Sequence, residues 1–411
     1  MNILLAAVKA KNTGGGVASY NWELVNLLAK NNRIDLLTEI AEPEAEGFSR
    51  IISSSEYNLN NVQDAKKLVT EINNGNYDVI ISSASNNIPV LAPFLNAPIV
   101  SVSHFVNGRL AVKAGYNQKY INAIISLSYY GKKFIEERFH INDKQKIHIV
   151  YNFVKSKPAD FRLKIDRKPL MIVYPGGTSV KKSPDVIQNL LYKMLETDLP
   201  FDFYWLGGTR LPISKISIFR LRDLRNLFKV DRRLHITGNV PREDAEKLMM
   251  DANIFLLPSR GEGCPMTLLE AMRGGCIPIV SDAKHGSVEI IEDSKAGLIV
   301  KQDNSDELYK VIRDIILNHS SYESYYSKSR EYLSSSLSQE VWSEKMKDVI
   351  SYAISHKKEM IEFNKKELSK SLRGYKRLLL FARIKEMASS LKYRLVIDDN
   401  YLMHKLGRLL K

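Results

Sequence analysis

The most specific chemical signal in the sequence is a pair of carboxylates, Glu262 and Glu270. They lie in the run Pro258-Ser259-Arg260-Gly261-Glu262-Gly263-Cys264-Pro265-Met266-Thr267-Leu268-Leu269-Glu270-Ala271-Met272. The aliphatic stretch ending at Leu257 reads as a buried strand and the glycines behind it as a loop. Pro265 reads as the first residue of a helix that Gly274-Gly275 stops. Glu262 then belongs to the loop and Glu270 to the second helical turn. Main-chain amides around Gly263, Cys264, Pro265, Met266 and Thr267 would crown the helix N-terminus, where unpaired N–H groups and the helix dipole attract an anion. Glu270 is the only charge among Met266, Leu268, Leu269, Ala271 and Met272, and it shares a face with Thr267. A carboxylate placed so is costly unless hydroxyls or cations meet it, and a pair of sugar hydroxyls would do so. The bland reading is two solvated glutamates flanking a core helix.

Two weaker signals stand in the first half. Gly14, Gly15 and Gly16 follow the first aliphatic run and precede the helical pattern Ser19–Leu28, so backbone N–H groups there can approach an anion closely. A tight turn would use the same glycines, and the spacing is neither G-x-G-x-x-G nor a phosphate loop ending in Gly-Lys-Ser/Thr. His104 follows the strand expected at Pro98–Ser103. By itself it is as readily a packed or capping histidine as a functional one.

The elements that position these residues follow from hydrophobic runs. Strands are expected near Asn2–Val8, Ile34–Leu37, Val79–Ser82, Pro98–Ser103, Ala123–Leu127 and Ile147–Val150. The pattern restarts near Leu170–Tyr174, then Asp202–Leu206, Leu234–Thr237, Ile254–Leu257, Ile277–Val280 and Leu298–Val300. Helical stretches alternate with them, which predicts two doubly wound α/β domains with parallel sheets, and makes the cleft between them the default ligand site. Residues 1–155 form the first expected domain, 156–345 the second, and 346–411 a helical, basic extension. The 411 residues suffice for two cores, and 44% hydrophobic with 26% charged residues excludes collagen-like, coiled-coil and wholly disordered classes. Cys264 and Cys276 are too few for a disulfide-stapled secreted fold, so a reducing, cytoplasmic setting is expected. The apolar opening runs directly into Lys9 and a Gly cluster and reads as a first strand rather than a leader.

The formal charge of +14 is unevenly spread, since residues 357–411 hold 15 Lys and Arg against 6 Asp and Glu. Leu372, Tyr375, Leu379 and Ala382 recur at helical spacing with Arg373, Lys376, Arg377 and Arg383 between them. That pattern predicts a basic amphipathic helix suited to an anionic membrane surface, peripheral on its inner face, or to packing on a partner protein. Nucleic acid is not expected, because the body lacks zinc-finger spacing, ribonucleoprotein motifs or a basic stripe.

The E-G-x-P-x-x-L-L-E-A-M run, followed by Gly275-Cys276-Ile277-Pro278-Ile279-Val280-Ser281-Asp282, resembles the retaining glycosyltransferases of family 4, which have the GT-B fold. The resemblance spans about residues 1–350 and is strongest in the second half. It implies transfer of a hexose-type sugar from a nucleotide-diphosphate donor, commonly a UDP-sugar, with retained α configuration and no metal. It assigns sugar hydroxyls to Glu262, the ribose to Glu270, a place near the reaction centre to His104 and the diphosphate to Lys182 and the loop of Gly14 to Gly16. Where that family has Arg five residues before the Lys, this sequence has Gly177, which removes a bidentate phosphate partner; Lys181 or Arg210 are candidates to replace it. No D-x-D and no pair of His at metal-ligand spacing occurs, in keeping with leaving-group stabilisation by Lys182 and helix N-termini. The acceptor expected is a glycan or lipid-linked glycan in cell-surface polysaccharide synthesis. The competing readings are a non-catalytic GT-B scaffold subunit that binds a partner protein, and a sugar-nucleotide epimerase. An oxidoreductase is excluded by the missing G-x-G-x-x-G.

Overall fold

Aliphatic runs with no polar alternation must be covered on both faces, and parallel strands flanked by helices do this. The computed structural model describes residues 1–8, 16–40, 47–106, 108–154, 168–177, 179–208, 231–356 and 358–409, with side chains to residue 389. Asn2–Ala7 (β1), Arg33–Thr38 (β2), Arg50–Ser53 (β3), Val79–Ser83 (β4), Ile99–Ser103 (β5), Ala123–Ser126 (β6) and Ile147–Ile149 (β7) make a parallel sheet in the order β3-β2-β1-β4-β5-β6-β7. Leu170–Tyr174 (β8), Phe201–Leu206 (β9), Leu234–Gly238 (β10), Ile254–Leu257 (β11), Ile277–Ser281 (β12) and Leu298–Val300 (β13) make a second, in the order β10-β9-β8-β11-β12-β13.

All twelve expected strands are present, and β3 is the addition. Its four residues, Arg-Ile-Ile-Ser, form an edge strand in which only Ile52 is buried, too short a signal to stand out from a loop. In each sheet the chain first builds to one side and then returns to the other, so the direction of winding switches between β1 and β4 and between β8 and β11. Loops at the carboxyl ends of those four strands splay apart there, and each sheet gains a crevice.

The chain packs as two units, Met1–Asn152 with Glu340–Glu386, and Phe153–Gln339 with Met387–Lys411. Much of the basic segment expected to stand apart as 346–411 is therefore an integral part of the first unit. Leu368 and Tyr375 are buried in the same core as Ile88, Leu91, Phe94 and Tyr120, and Leu372 and Leu379 pack against it. The apolar stripe expected to enter lipid is occupied instead, because the helical cover of the first sheet is incomplete without it. Polar contacts fix the register. Ser371 Oγ donates to Val90 O at 2.8 Å and accepts from Asn117 Nδ2 at 2.9 Å, while Tyr116 donates from its hydroxyl to Ser371 O at 2.8 Å. Gly374 permits this approach, since a Cβ there would lie 2.4 Å from the Tyr116 hydroxyl.

Tyr375→Ala should accordingly lower the stability of the first unit by about 3 kcal/mol, the cost of emptying a buried aromatic site. Leu380→Ala, on the exposed side of the same helix, should change it by less than about 0.5 kcal/mol. Urea unfolding of both variants checks the contrast.

Candidate functional site

In the second unit the switch between β8 and β11 gathers the residues singled out in the sequence. β8 ends at Tyr174, and the chain then passes Gly176 and Gly177 into a short turn, Val180–Lys182, ahead of the helix Pro184–Leu195. The ring of Tyr174 is fully buried beneath this segment. A Cβ on Gly176 would lie 1.9 Å from that ring, so only glycine fits. Gly177 has φ +51°, in the left-handed region, and Gly207 packs against its backbone. The departure from the family's Arg thus coincides with a backbone conformation that a larger residue adopts at a cost of about 1–2 kcal/mol.

The turn is held from below by three successive carbonyl groups. Arg260 Nη1 donates to Val180 O at 2.8 Å, the Arg260 main-chain N–H to Lys181 O at 2.8 Å, and the Tyr174 hydroxyl to Lys182 O at 2.9 Å. The Arg260 guanidinium also grips Asp185 with both Nη atoms, at 3.1 and 2.6 Å, and donates from Nε to Asp303 Oδ1 at 2.7 Å. Its side chain is only 5% exposed. Arg260 is a positioning residue that sequence reading missed, because the sequence places its partners 75 and 43 residues away.

Two residues beyond Arg260, Glu262 enters the same crevice. Its Oε1 lies 2.6 Å from Lys182 Nζ as an ion pair. That oxygen lacks hydrogen-bond alignment with any described group. His285, after β12 and at the N-cap of the helix Gly286–Ser294, is fully buried, with Nε2 3.3 Å from Ser259 O. Burial lowers its pKa, while the charges of Glu262 and Lys182 act on it in opposite senses. The neutral ring therefore donates from Nε2 to Ser259 and supports the loop that carries Glu262.

Pro265 is the N-cap of the helix Met266–Arg273 rather than its first residue, and Gly274 caps the other end. Glu270 is buried on this helix, and burial pushes its pKa up while Arg242 opposes that shift. Arg242 Nη2 donates to Glu270 Oε1 at 3.2 Å. Arg242 begins the helix Arg242–Asp251, and no periodicity links it to the motif. One turn before Glu270, the buried Thr267 Oγ1 has no partner among the described residues. Cys264 and Cys276 are buried and are not joined in a disulfide. The site thus offers one cation beside a carboxylate, a second carboxylate with its own Arg, an unsatisfied hydroxyl and the first-turn amides of a helix. Among the described residues no three His, Cys, Asp or Glu gather to hold a metal ion.

The other predicted residues divide differently. Gly14, Gly15 and Arg210 lie outside the described residues, and Gly16 is the first residue of the helix Gly16–Leu28. His104 belongs to the first unit, just past β5. Its Nε2 is 2.7 Å from Ser83 Oγ, at the end of β4, and Ser83 in turn donates to Asn21 Oδ1 on the helix after β1. With the Ser83 proton committed to Asn21, His104 donates from Nε2 and keeps Nδ1 as an acceptor. Tyr20 packs edge-on at 4.8 Å between ring centroids. Burial drives the His104 pKa down to about 3, so the ring is neutral throughout the physiological range.

Two parallel doubly wound sheets, each with its crevice, define a GT-B-type α/β protein. HepE of Anabaena, solved in complex with UDP, superposes with a TM-score of 0.68 at 15% identity, covering 85% of this chain and 100% of that one. The lipopolysaccharide outer core galactosyltransferase WaaB, in its apo form, gives a TM-score of 0.64 at 16% identity, over 85% of this chain and 99% of that one. Residues 160–332 match the family described as Glycosyl transferases group 1. The matched residues lie within the second unit. Among curated proteins, it is 30% identical over 128 residues to a putative colanic acid biosynthesis glycosyltransferase, WcaL, of Salmonella typhimurium, covering 29% of this chain and 31% of that protein. It is 26% identical over 165 residues to the amylovoran biosynthesis glycosyltransferase AmsK of Erwinia amylovora, covering 38% and 39%. The matches span about a third of the length of these curated relatives.

The His104 environment makes a stability prediction with a definite sign. The folded-state pKa of about 3 lies below the ordinary value of 6.5, so between them the unfolded chain binds the proton and the folded one does not. Stability contributed by this residue is complete above about pH 6.5 and falls by up to about 1.4 kcal/mol per pH unit as the pH drops toward 3. Denaturant unfolding of wild type and His104→Gln from pH 7 to pH 4 should show the wild type losing stability relative to the variant.

Proposed function

We propose that the protein is a retaining glycosyltransferase that moves a hexose-type sugar from a nucleotide-diphosphate donor, a UDP-sugar, to a glycan or lipid-linked glycan acceptor in cell-surface polysaccharide synthesis. The observation that carries this reading is the switch-point crevice of the second unit. There Lys182, Glu262, Glu270 and the unpartnered Thr267 hydroxyl stand on a frame held by Arg260 and His285. Lys182 and the amides of Met266 and Thr267 offset the charge that builds on the departing diphosphate, a role that needs no divalent ion. Glu270, held by Arg242, accepts from the two ribose hydroxyls. Glu262 exchanges part of its ion pair with Lys182 for hydroxyls of the transferred sugar. The resemblance gives His104 a contact with that sugar, and a neutral ring with Nδ1 open as an acceptor suits a hydroxyl donor. Front-face attack, with the donor phosphate taking the acceptor proton, needs no dedicated protein base.

A UDP donor is supported by HepE, which was solved with UDP and with UDP-glucose. A polysaccharide acceptor is supported by the likeness to WcaL and AmsK, glycosyltransferases of colanic acid and amylovoran biosynthesis, the former putative. Two buried cysteines not joined in a disulfide fit a cytoplasmic setting. The scaffold reading keeps one observation in its favour, the absent guanidinium at Gly177.

Glu270→Ala should weaken UDP binding at least tenfold, because a carboxylate accepting from paired hydroxyls contributes roughly 1.5–3 kcal/mol. Glu262→Gln should leave UDP affinity within about threefold and lower turnover by roughly a hundredfold or more, since its contacts are to the reacting sugar. Calorimetry with UDP, GDP and ADP and assays of UDP-sugar hydrolysis and transfer, with and without a chelator, check both. UDP binding without hydrolysis or transfer across a panel of UDP-sugars and acceptors would favour the scaffold.

A further inference from the structure

The part of the helix Lys365–Leu409 that belongs to the first unit, up to Glu386, packs on its core along one side. Leu368, Leu372, Tyr375, Leu379 and Ala382 face the core. At about 100° per residue the opposite side takes Lys366, Lys370, Arg373 and Arg377, and then Leu380, Phe381, Ile384 and Met387. All eight are exposed. The apolar four are 59%, 55%, 54% and 62% exposed. Among the described residues the other exposed large apolar side chains, Met1, Ile40, Tyr129, Leu317, Ile354 and Met360, are scattered along the chain, which is ordinary, whereas four within two turns of one helix face are not.

We propose that this outward row is a docking face for an anionic lipid surface, with the basic turns on headgroup phosphates and the following apolar turns inserted at the acyl boundary. The row holds no acidic residue; Glu367, on its flank, pairs with Lys370 at 3.6 Å, and Glu386 turns inward and bonds Arg109 at 3.0 Å. Positive charge therefore predominates along about three turns, from Lys366 to Arg377, and apolar side chains continue the row along the next two. A membrane surface uses both halves at once. A nucleic acid would meet the cations and leave Leu380, Phe381, Ile384 and Met387 in water. Attachment of this kind is peripheral, and among the described residues no helix is long and apolar enough to cross a membrane. The face differs from the stripe that hydrophobic periodicity alone selects, Leu372, Tyr375 and Leu379, which the first unit already covers.

The test is sedimentation of the full chain with vesicles of phosphatidylcholine alone and of phosphatidylcholine mixed with phosphatidylglycerol. Three proteins are compared: wild type, the triple variant Leu380→Glu, Phe381→Glu and Ile384→Glu, and the quadruple variant of Lys366, Lys370, Arg373 and Arg377 to Ser. Wild type should bind the mixed vesicles, less so at high salt because surface attraction fades over about 8 Å, and the neutral vesicles at least tenfold less. Each variant should bind the mixed vesicles at least tenfold more weakly, with unchanged thermal unfolding and unchanged UDP affinity, so that failure here stays separate from failure of the donor assignment. Equal binding to both vesicle types, or variants that sediment like wild type, would overturn the proposal. So would a chain that ignores both vesicles and instead shifts a DNA duplex through the four basic residues.

Discussion

The candidate site depends on one buried guanidinium. Arg260 sits in the loop after β11, yet it bonds to the segment that follows β8: the carbonyls of Val180 and Lys181 in the turn and the carboxylate of Asp185 in the first turn of the helix behind it. It thereby ties together the two chain segments that meet at the switch point of the sheet. Lys182 is consequently presented from a turn whose carbonyls all point into the protein, and Glu262 from a loop anchored two residues earlier. Removing such a cation would strand Asp185 and Asp303 without their partner, a loss on the order of 3–5 kcal/mol for a buried ion pair broken on one side. The frame is rigid because its charges are compensated within it, which leaves Lys182 and Glu262, with one ion pair between them, as the groups able to exchange partners with a ligand.

The first unit solves a similar problem with neutral groups. Ser83, Asn21 and His104 come from the ends of β4 and β5 and the helix after β1, the switch point of that sheet. A hydrogen-bonded chain fixes the imidazole tautomer without a carboxylate, and burial prevents protonation. The two units therefore use one architectural position, the carboxyl ends of the strands where winding reverses, with opposite electrostatics: charged and partly compensated in one, neutral in the other.

Much of this was legible in the sequence, for identifiable reasons. Strands buried on both faces are continuous aliphatic runs, so β1, β4, β5, β8, β11 and β12 could be located within a residue or two, whereas β3, an edge strand with one buried residue, left no such trace. The motif carrying Glu262 and Glu270 is compact, so spacing alone placed one carboxylate in a loop and the other on a helix. Arg242, Arg260 and His285 act through contacts across the fold, and a one-dimensional pattern does not record which of sixty Lys and Arg residues meets a given carboxylate. The basic helix shows the limit most clearly. Periodicity identified its apolar stripe correctly but could not say what the stripe covers; the answer, the open side of the first core, is a property of the whole unit.

If Arg260 acts by holding the turn that presents Lys182, its contribution to donor binding must pass through Lys182. A double-mutant cycle on UDP affinity, measured by calorimetry on wild type, Lys182→Ala, Arg260→Ala and the double variant, tests this directly. The expected result is that Arg260→Ala weakens binding about tenfold or more when Lys182 is present and less than about threefold when it is absent. An equal loss in both backgrounds would contradict the account, since Arg260 would then act on the nucleotide by a route that does not involve the lysine.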